Sequence, residues 1–333
     1  MVKMSSIRQY NSSLDFIKGI ACIFVVFMHC EFPGVLETVV QAVSRFCVPL
    51  FFIVSGYFCF KRETRTVADS LCKIKHIAKI APYACIFYFC FSLLLQYLSG
   101  GITLSVSVRQ LYVWLLFNSP FWVAGQYWFL FALLYTYVFY FAFELNGKRK
   151  WAYCLAAIMF VAYYLLAQGM HIAGIHVPNH IYRNWLVEGF AYFMLGHWIH
   201  EHQARITIDN RTLLLIIITS TLLCLPERYL LGRDFGVNLC TLPQVVALFI
   251  YAVQNPTRHQ GYLQQLGKTC SMFVYILHPA VWHSMEKIYY VINVDTDMTA
   301  LYLMPVIVLV LTILLSIACY REQQKFLYSK TNA

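Results

Sequence analysis

Leu14-Asp15-Phe16-Ile17-Lys18-Gly19-Ile20-Ala21-Cys22-Ile23-Phe24-Val25-Val26-Phe27-Met28-His29 is apolar except at three positions, Asp15, Lys18 and His29. With its flanks the run approaches the roughly 20 residues that a helix needs to cross a bilayer. At about 100° per residue the three polar side chains fall within about 60° of one another, on a single helical face. A charge in the hydrocarbon costs about 2.5 to 3.5 kcal/mol on insertion scales, so this stripe must face protein or water. Lys18 and His29 are separated by about 16 Å along the axis, which puts them towards opposite ends of the span.

The rest of the chain has the same character. Of its 333 residues 60% are hydrophobic and 12% are charged, against roughly 25% charged in a soluble domain. Apolar stretches predict helices near 14–33, 44–60, 77–98, 126–144, 151–169, 185–200, 212–226, 237–254, 270–290 and 300–319. The fold class expected is all-α, a polytopic membrane protein of about ten transmembrane helices with both termini cytoplasmic. Residues 1–333 read as one membrane-embedded domain, and 99–125 as an interfacial or re-entrant piece. The positive-inside rule supplies the orientation. Of 25 Lys and Arg residues, only Arg45, Arg109, Arg183, Arg228, Arg233 and Lys287 fall on the far side, with Lys18 set aside inside a span. The net charge of +10 is thereby assigned to loops facing anionic membrane lipid, not to a nucleic-acid partner. Asp15 and Lys18 within the first apolar run argue for a retained helix over a cleaved leader. The 12 cysteines are scattered through apolar runs without metal-ligand spacing, so no metal is expected. The sequence sets no oligomeric state.

The second helix enters from the far side through Arg45-Phe46-Cys47-Val48-Pro49-Leu50-Phe51-Phe52-Ile53-Val54-Ser55-Gly56-Tyr57. Arg45 therefore enters at about the depth of His29, and Pro49 is expected to kink the span. Beyond it, Arg62 and Arg65 are spaced to hold a phosphate with paired forks, the alternative being topology alone. Ser55 and Tyr57 are read as packing or hydrogen-bonding residues at the kink, the alternative being a nucleophile that forms a covalent acyl-enzyme. Glu188, His278, His283 and Glu286 lie at depth, where they either bind an acceptor or join helices to one another. Gly267-Lys268-Thr269 has no preceding strand and is not a phosphate loop.

Taken together, the Lys18-x10-His29 spacing, the Arg45-Phe46-x-Val48-Pro49-Leu50-Phe51-Phe52-x-x-Ser55-Gly56-Tyr57 string and the Arg62-x-x-Arg65 pair resemble the acyltransferase-3 family of membrane-bound O-acyltransferases. Weaker echoes follow at Tyr127-Trp128-Phe129-Leu130, at Leu195-Gly196, and from Leu266-Gly267-Lys268 to Tyr275-Ile276-Leu277-His278-Pro279. The resemblance implies a bacterial inner-membrane enzyme that moves an acyl group, usually acetyl from acetyl-CoA, to a hydroxyl of an extracytoplasmic glycan, lipid-linked sugar or related acceptor. It also implies that His29 is the essential histidine, Lys18 its basic partner, and Arg62 with Arg65 the coenzyme-binding pair. Many members have arginine where this chain has Lys18, a point charge that cannot fork. A histidine with an ordinary pKa near 6.5 suits a general base, and Arg45 is placed to position the acceptor or to stabilise an oxyanion. The rival reading is a transporter or flippase of a glycan or small metabolite, which predicts repeated halves or paired broken helices.

Overall fold

The computed structural model describes residues 11–62, 66–101, 107–118, 125–232 and 237–331, and all regular structure among them is helical. Each apolar stretch read from the sequence falls on a helix. Among the described residues seven helical segments are long and apolar enough to cross a membrane: Ser12–His29, Val35–Tyr57, Val67–Leu98, Gly125–Leu145, Arg149–Ile172, Asn210–Leu231 and Met298–Lys330. The other three stretches differ for visible reasons. Thr241–Gln254 is a short helix, whereas the helices around 185–202 and 271–291 carry Glu188, His197 and Glu201 in one, and His278, His283, Glu286 and Lys287 in the other. The segment 99–125 contributes a ten-residue helix, Val108–Phe117, started by a capping box between Ser107 and Gln110.

We label the principal helices α1 (Ser12–His29), α2 (Val35–Ser44), α3 (Cys47–Tyr57), α4 (Val67–Leu98), α5 (Val108–Phe117), α6 (Trp128–Leu145), α7 (Arg149–Tyr164), α8 (Ala191–His202), α9 (Asn210–Leu231), α10 (Thr241–Gln254), α11 (Ser271–Val291) and α12 (Met298–Thr331). Three of them adjoin π-helical turns: Leu165–Gly169 after α7, Trp185–Phe190 before α8 and Leu266–Cys270 before α11. The apolar stretch of α12 is only 22% buried although it is the most apolar of the spans. Apolar surface left open on that scale is the signature of lipid contact.

The chain divides into two compact units, one made of 1–47, 208–226 and 240–333, the other of 48–207 and 227–239. In the first, α1 begins at Asn11, whose side chain accepts from the Ser13 amide at 3.0 Å. The Ser12 and Ser13 hydroxyls donate to the Thr257 and Asn255 carbonyls at 2.7 and 2.6 Å, tying this end to the connection after α10. The middle of α1 lies backbone to backbone against the turn before α11. A Cβ on Gly19 would stand 2.1 Å from the Leu263 carbonyl oxygen, and one on Gly267 would stand 1.9 Å from that of Asp15. Such approach is what small residues permit between helices in a membrane.

The second unit repeats the device. A Cβ on Gly56 in α3 would stand 1.8 Å from the Phe193 carbonyl oxygen of α8, and one on Gly196 in α8 would stand 1.9 Å from that of Ile53 in α3. The two glycines thus face each other's helices reciprocally. The span Val35–Tyr57 is broken as Pro49 leads one to expect: the helix is interrupted at Arg45–Phe46, where the proline ring would meet the Arg45 carbonyl four residues earlier, and Pro49 sits in the first turn of α3, where its missing N–H has no intrahelical partner to lose.

Candidate functional site

In the first unit, α1 places Asp15 and Lys18 one turn apart, and they form an ion pair of 2.9 Å with side chains 12% and 17% exposed. The charge of Lys18 is therefore met locally, within its own helix. His29 ends α1, half-buried, and its ring stacks on His278 of α11 with centroids 5.2 Å apart and an interplanar angle of 28°. His278 is buried and its Nδ1 lies 3.0 Å from the Val274 carbonyl oxygen, four residues earlier in α11. A carbonyl only accepts, so Nδ1 carries the proton and Nε2 is left as the acceptor nitrogen. That Nε2 is buried without a hydrogen-bond partner among the described residues.

Arg45 occupies the interruption between α2 and α3. Its Nη2 donates to Gln41 Oε1 at 2.8 Å, while the amide of Gln41 donates to the Met28 carbonyl at 2.6 Å and to Glu31 Oε1 at 2.8 Å. Met28 and Glu31 flank His29 in sequence, so Gln41 ties the guanidinium to the end of α1 that bears the imidazole. Gln41 was not singled out in the sequence, although its i,i+4 relation to Arg45 is the signal that would have found it. His283 and Glu286 pair at 2.9 Å across one turn of α11. Structure thus gathers His29, Arg45 and His278 about the end of α1. Glu188 lies in the second unit, buried, and pairs with Arg183 at 3.8 Å.

Also in the second unit, Arg62 lines a cavity of about 640 Å³ whose charged walls come from the turn Gly147-Lys148-Arg149-Lys150 and from Glu144 and Glu201. Arg65 lies outside the described residues. The sequence marked Lys148–Lys150 only as a connection, and here its three cations play different parts. Arg149 is fixed: it forms an ion pair with Glu144, approaches Glu201 at 3.5 Å, donates to the Lys61 carbonyl at 3.2 Å and covers the ring of Phe60. Lys148, Lys150 and Arg62 have no carboxylate partner among the described residues. Four cations against two carboxylates make the cavity electropositive, and the exposed indoles of Trp151 and Trp198 border it.

A polar chain runs inward from this cavity. Tyr153 donates to Glu201 at 2.5 Å and meets His197 Nδ1 at 2.7 Å, and Tyr140 meets His197 Nε2 at 2.9 Å. His197 is wholly buried between the two phenols. Because Glu144 is 3% exposed, removing its cation leaves a buried carboxylate uncompensated, a loss of about 3 kcal/mol or more. Arg149→Met is expected to lower the melting temperature of the detergent-purified protein substantially, and adding Glu144→Gln to recover part of that loss. A double variant no more stable than Arg149→Met alone contradicts this account.

Other candidates have structural partners. Ser55 Oγ donates back to the Phe51 carbonyl at 2.8 Å, and the Tyr57 ring stacks on His200 at 4.3 Å while its hydroxyl donates to Gln203 at 2.7 Å. No group of three or more His, Cys, Asp or Glu residues suited to a metal ion occurs among the described residues.

With the geometry of the α1 end in place, comparison decides the family. A model described as an acyltransferase domain, that of the acyltransferase-3 family, matches residues 11–321. The chain belongs to the acyltransferase-3 family. The match takes in α1 with His29, the Arg45 interruption, the turn at Lys148–Lys150 and both histidines of α11, and it makes this protein a multi-pass membrane acyltransferase with an acyl donor and an acceptor. Comparison with curated proteins and with solved structures returns no match.

Proposed function

We propose that this acyltransferase moves an acetyl group from acetyl-CoA on the cytoplasmic side of a bacterial inner membrane to a hydroxyl of an extracytoplasmic glycan or lipid-linked sugar. The observation that supports the reading best is the grouping of His29, His278 and Arg45 at one end of α1. In this scheme the acceptor hydroxyl gives its proton to His29 as its oxygen attacks the thioester carbonyl. The tetrahedral intermediate carries an oxyanion, for which Arg45 supplies positive charge. Collapse breaks the C–S bond, the coenzyme leaves as a thiolate, and the proton held by His29 neutralises it. His278, with its own proton committed to Val274, fixes the plane of the His29 ring by stacking.

The donor's phosphates are assigned to Arg62, Arg65, Lys148 and Lys150; the resemblance adds Lys18, which is held in the first unit by Asp15. Coenzyme A carries a pyrophosphate and a ribose phosphate, and the electropositive cavity offers point charges to both, while an indole such as Trp151 or Trp198 offers a face for the adenine. Incubation of the purified protein with labelled acetyl-CoA and a panel of hydroxyl acceptors, followed by mass analysis, tests the reaction. Release of coenzyme A with no acetylated product from any glycan or sugar acceptor argues against it. For the donor site, Lys148→Gln with Lys150→Gln is expected to raise the KM for acetyl-CoA about tenfold, from the loss of charge-assisted contacts, with kcat within about twofold. An unchanged KM removes these lysines from the donor site.

A further inference from the structure

The first unit contains a second cavity, of about 680 Å³, that takes no part in the scheme above. Ile23 of α1, Leu266 of the π-helical turn, and Ile313 and Ile317 of α12 give it an aliphatic part, and Gln260, Gln265 and Thr269 give it a polar one. Two cations also line it, Lys268 and Arg321. Their level follows from the topology: α11 and α12 are joined by the short connection 292–297 and run antiparallel. Lys268 precedes Val291 by 23 residues and Arg321 follows Met298 by 23 residues, so both lie about 35 Å along their helices from the connection.

That level is where the hydrocarbon ends. Up to Ala318 the helix α12 is almost wholly apolar, and from Tyr320-Arg321-Glu322-Gln323-Gln324-Lys325 it is polar. Leu314 and Leu315, next to the two isoleucines that line the cavity, are half exposed, so the cavity adjoins surface of the kind acyl chains cover. An apolar column ending in two cations at the height of the headgroups is the negative of one molecule class, a phosphate with a hydrocarbon chain.

We propose that this cavity holds one anionic phospholipid of the bilayer, its phosphate between Lys268 and Arg321 and one acyl chain along Ile23, Ile313 and Ile317. The lipid lines the seam of α1, the turn before α11, and α12, and so steadies the helix that bears His29. A polyprenyl-phosphate carrier shares the same chemistry, and the experiment separates the two.

The full-length protein, stripped of lipid in detergent, is offered phosphatidylglycerol, phosphatidylcholine of the same acyl chains, or undecaprenyl phosphate, and binding is read by native mass spectrometry and thermal melting. Phosphatidylglycerol is expected to remain bound and to raise the melting temperature by about 5 °C at saturating excess, with no such effect from phosphatidylcholine. Lys268→Gln with Arg321→Gln is expected to weaken phosphatidylglycerol binding at least tenfold. Ile317→Trp fills the cavity without altering charge and is expected to do the same, while both variants bind coenzyme A as the parent does. The proposal is overturned by equal binding of the two phospholipids, by tighter binding of undecaprenyl phosphate, by Ile317→Trp leaving phosphatidylglycerol binding intact, or by loss of coenzyme A binding in the variants.

Discussion

His29→Ala is expected to abolish acetyl transfer, with kcat reduced by about 10² to 10⁴, the range over which a positioned general base acts. The size of the effect rests on there being no second base in reach of the same task. The stacked neighbour His278 keeps a bare Nε2, but that nitrogen is buried away from an entering acceptor, and Arg45, tied to Gln41, does not accept a proton. Folding is not expected to suffer comparably, because His29 is the last residue of α1 and half-buried. The assay therefore pairs turnover of labelled acetyl-CoA with the melting temperature. A variant that retains parental turnover excludes His29 as the base. One that loses turnover together with its cooperative melting transition assigns the residue to the fold instead. Donor binding supplies a further control, since a change confined to kcat with donor KM unmoved is what loss of a transition-state interaction produces.

Gly196→Ala is expected to be among the most damaging single substitutions for stability. The added methyl carbon would stand 1.9 Å from the Ile53 carbonyl oxygen, where ordinary contact begins near 3.4 Å. Backbone cannot rotate out of the way as a side chain does, so α3 and α8 must separate by more than 1 Å along the whole seam. Overpacking of a close-packed interior costs about 1 to 3 kcal/mol and on occasion more, and the rigidity of two backbones places this case at the upper end. A drop of about 4 °C in melting temperature follows from the usual proportionality for a chain of this size. Gly56→Ala acts on the same seam from the other side, with 1.8 Å to the Phe193 carbonyl oxygen. Once the helices have been forced apart by one methyl, the second is accommodated at reduced cost. The double variant is therefore expected to fall short of the sum of the singles, and strictly additive losses contradict a shared seam.

These examples show what a linear reading captures. The stripe of Asp15, Lys18 and His29 was legible because a helix repeats every few residues, and the structure keeps all three on α1. The level of Arg45 was legible from the order of entry of the second helix. Gly56 and Gly196 were visible only as letters of a resembling string, because their function depends on two backbones about 140 positions apart coming together. Pro49 marked its break in the sequence, since its ring excludes a continuous helix through Arg45 and the interruption falls at Arg45–Phe46. The division of labour in Lys148-Arg149-Lys150 was hidden. Only the arrival of Glu144 and Glu201 from other positions separates the fixed arginine from the two lysines. His197 escaped notice for the same reason, its two phenol partners being supplied by α6 and α7.

The ion pair between Asp15 and Lys18 has a bearing on how the protein is made. Its partners are three residues apart on one helix, so it forms as soon as α1 winds, before any later segment has left the ribosome. A lone lysine or aspartate in the leading span would have to wait in the translocon for a distant partner or be left in lipid at the full insertion cost. Paired, the segment is electrically neutral at this point and partitions as an apolar helix. Biogenesis of the first span thus requires no help from the rest of the chain, and the charged face it brings into the bilayer is already partnered when the other helices assemble around it.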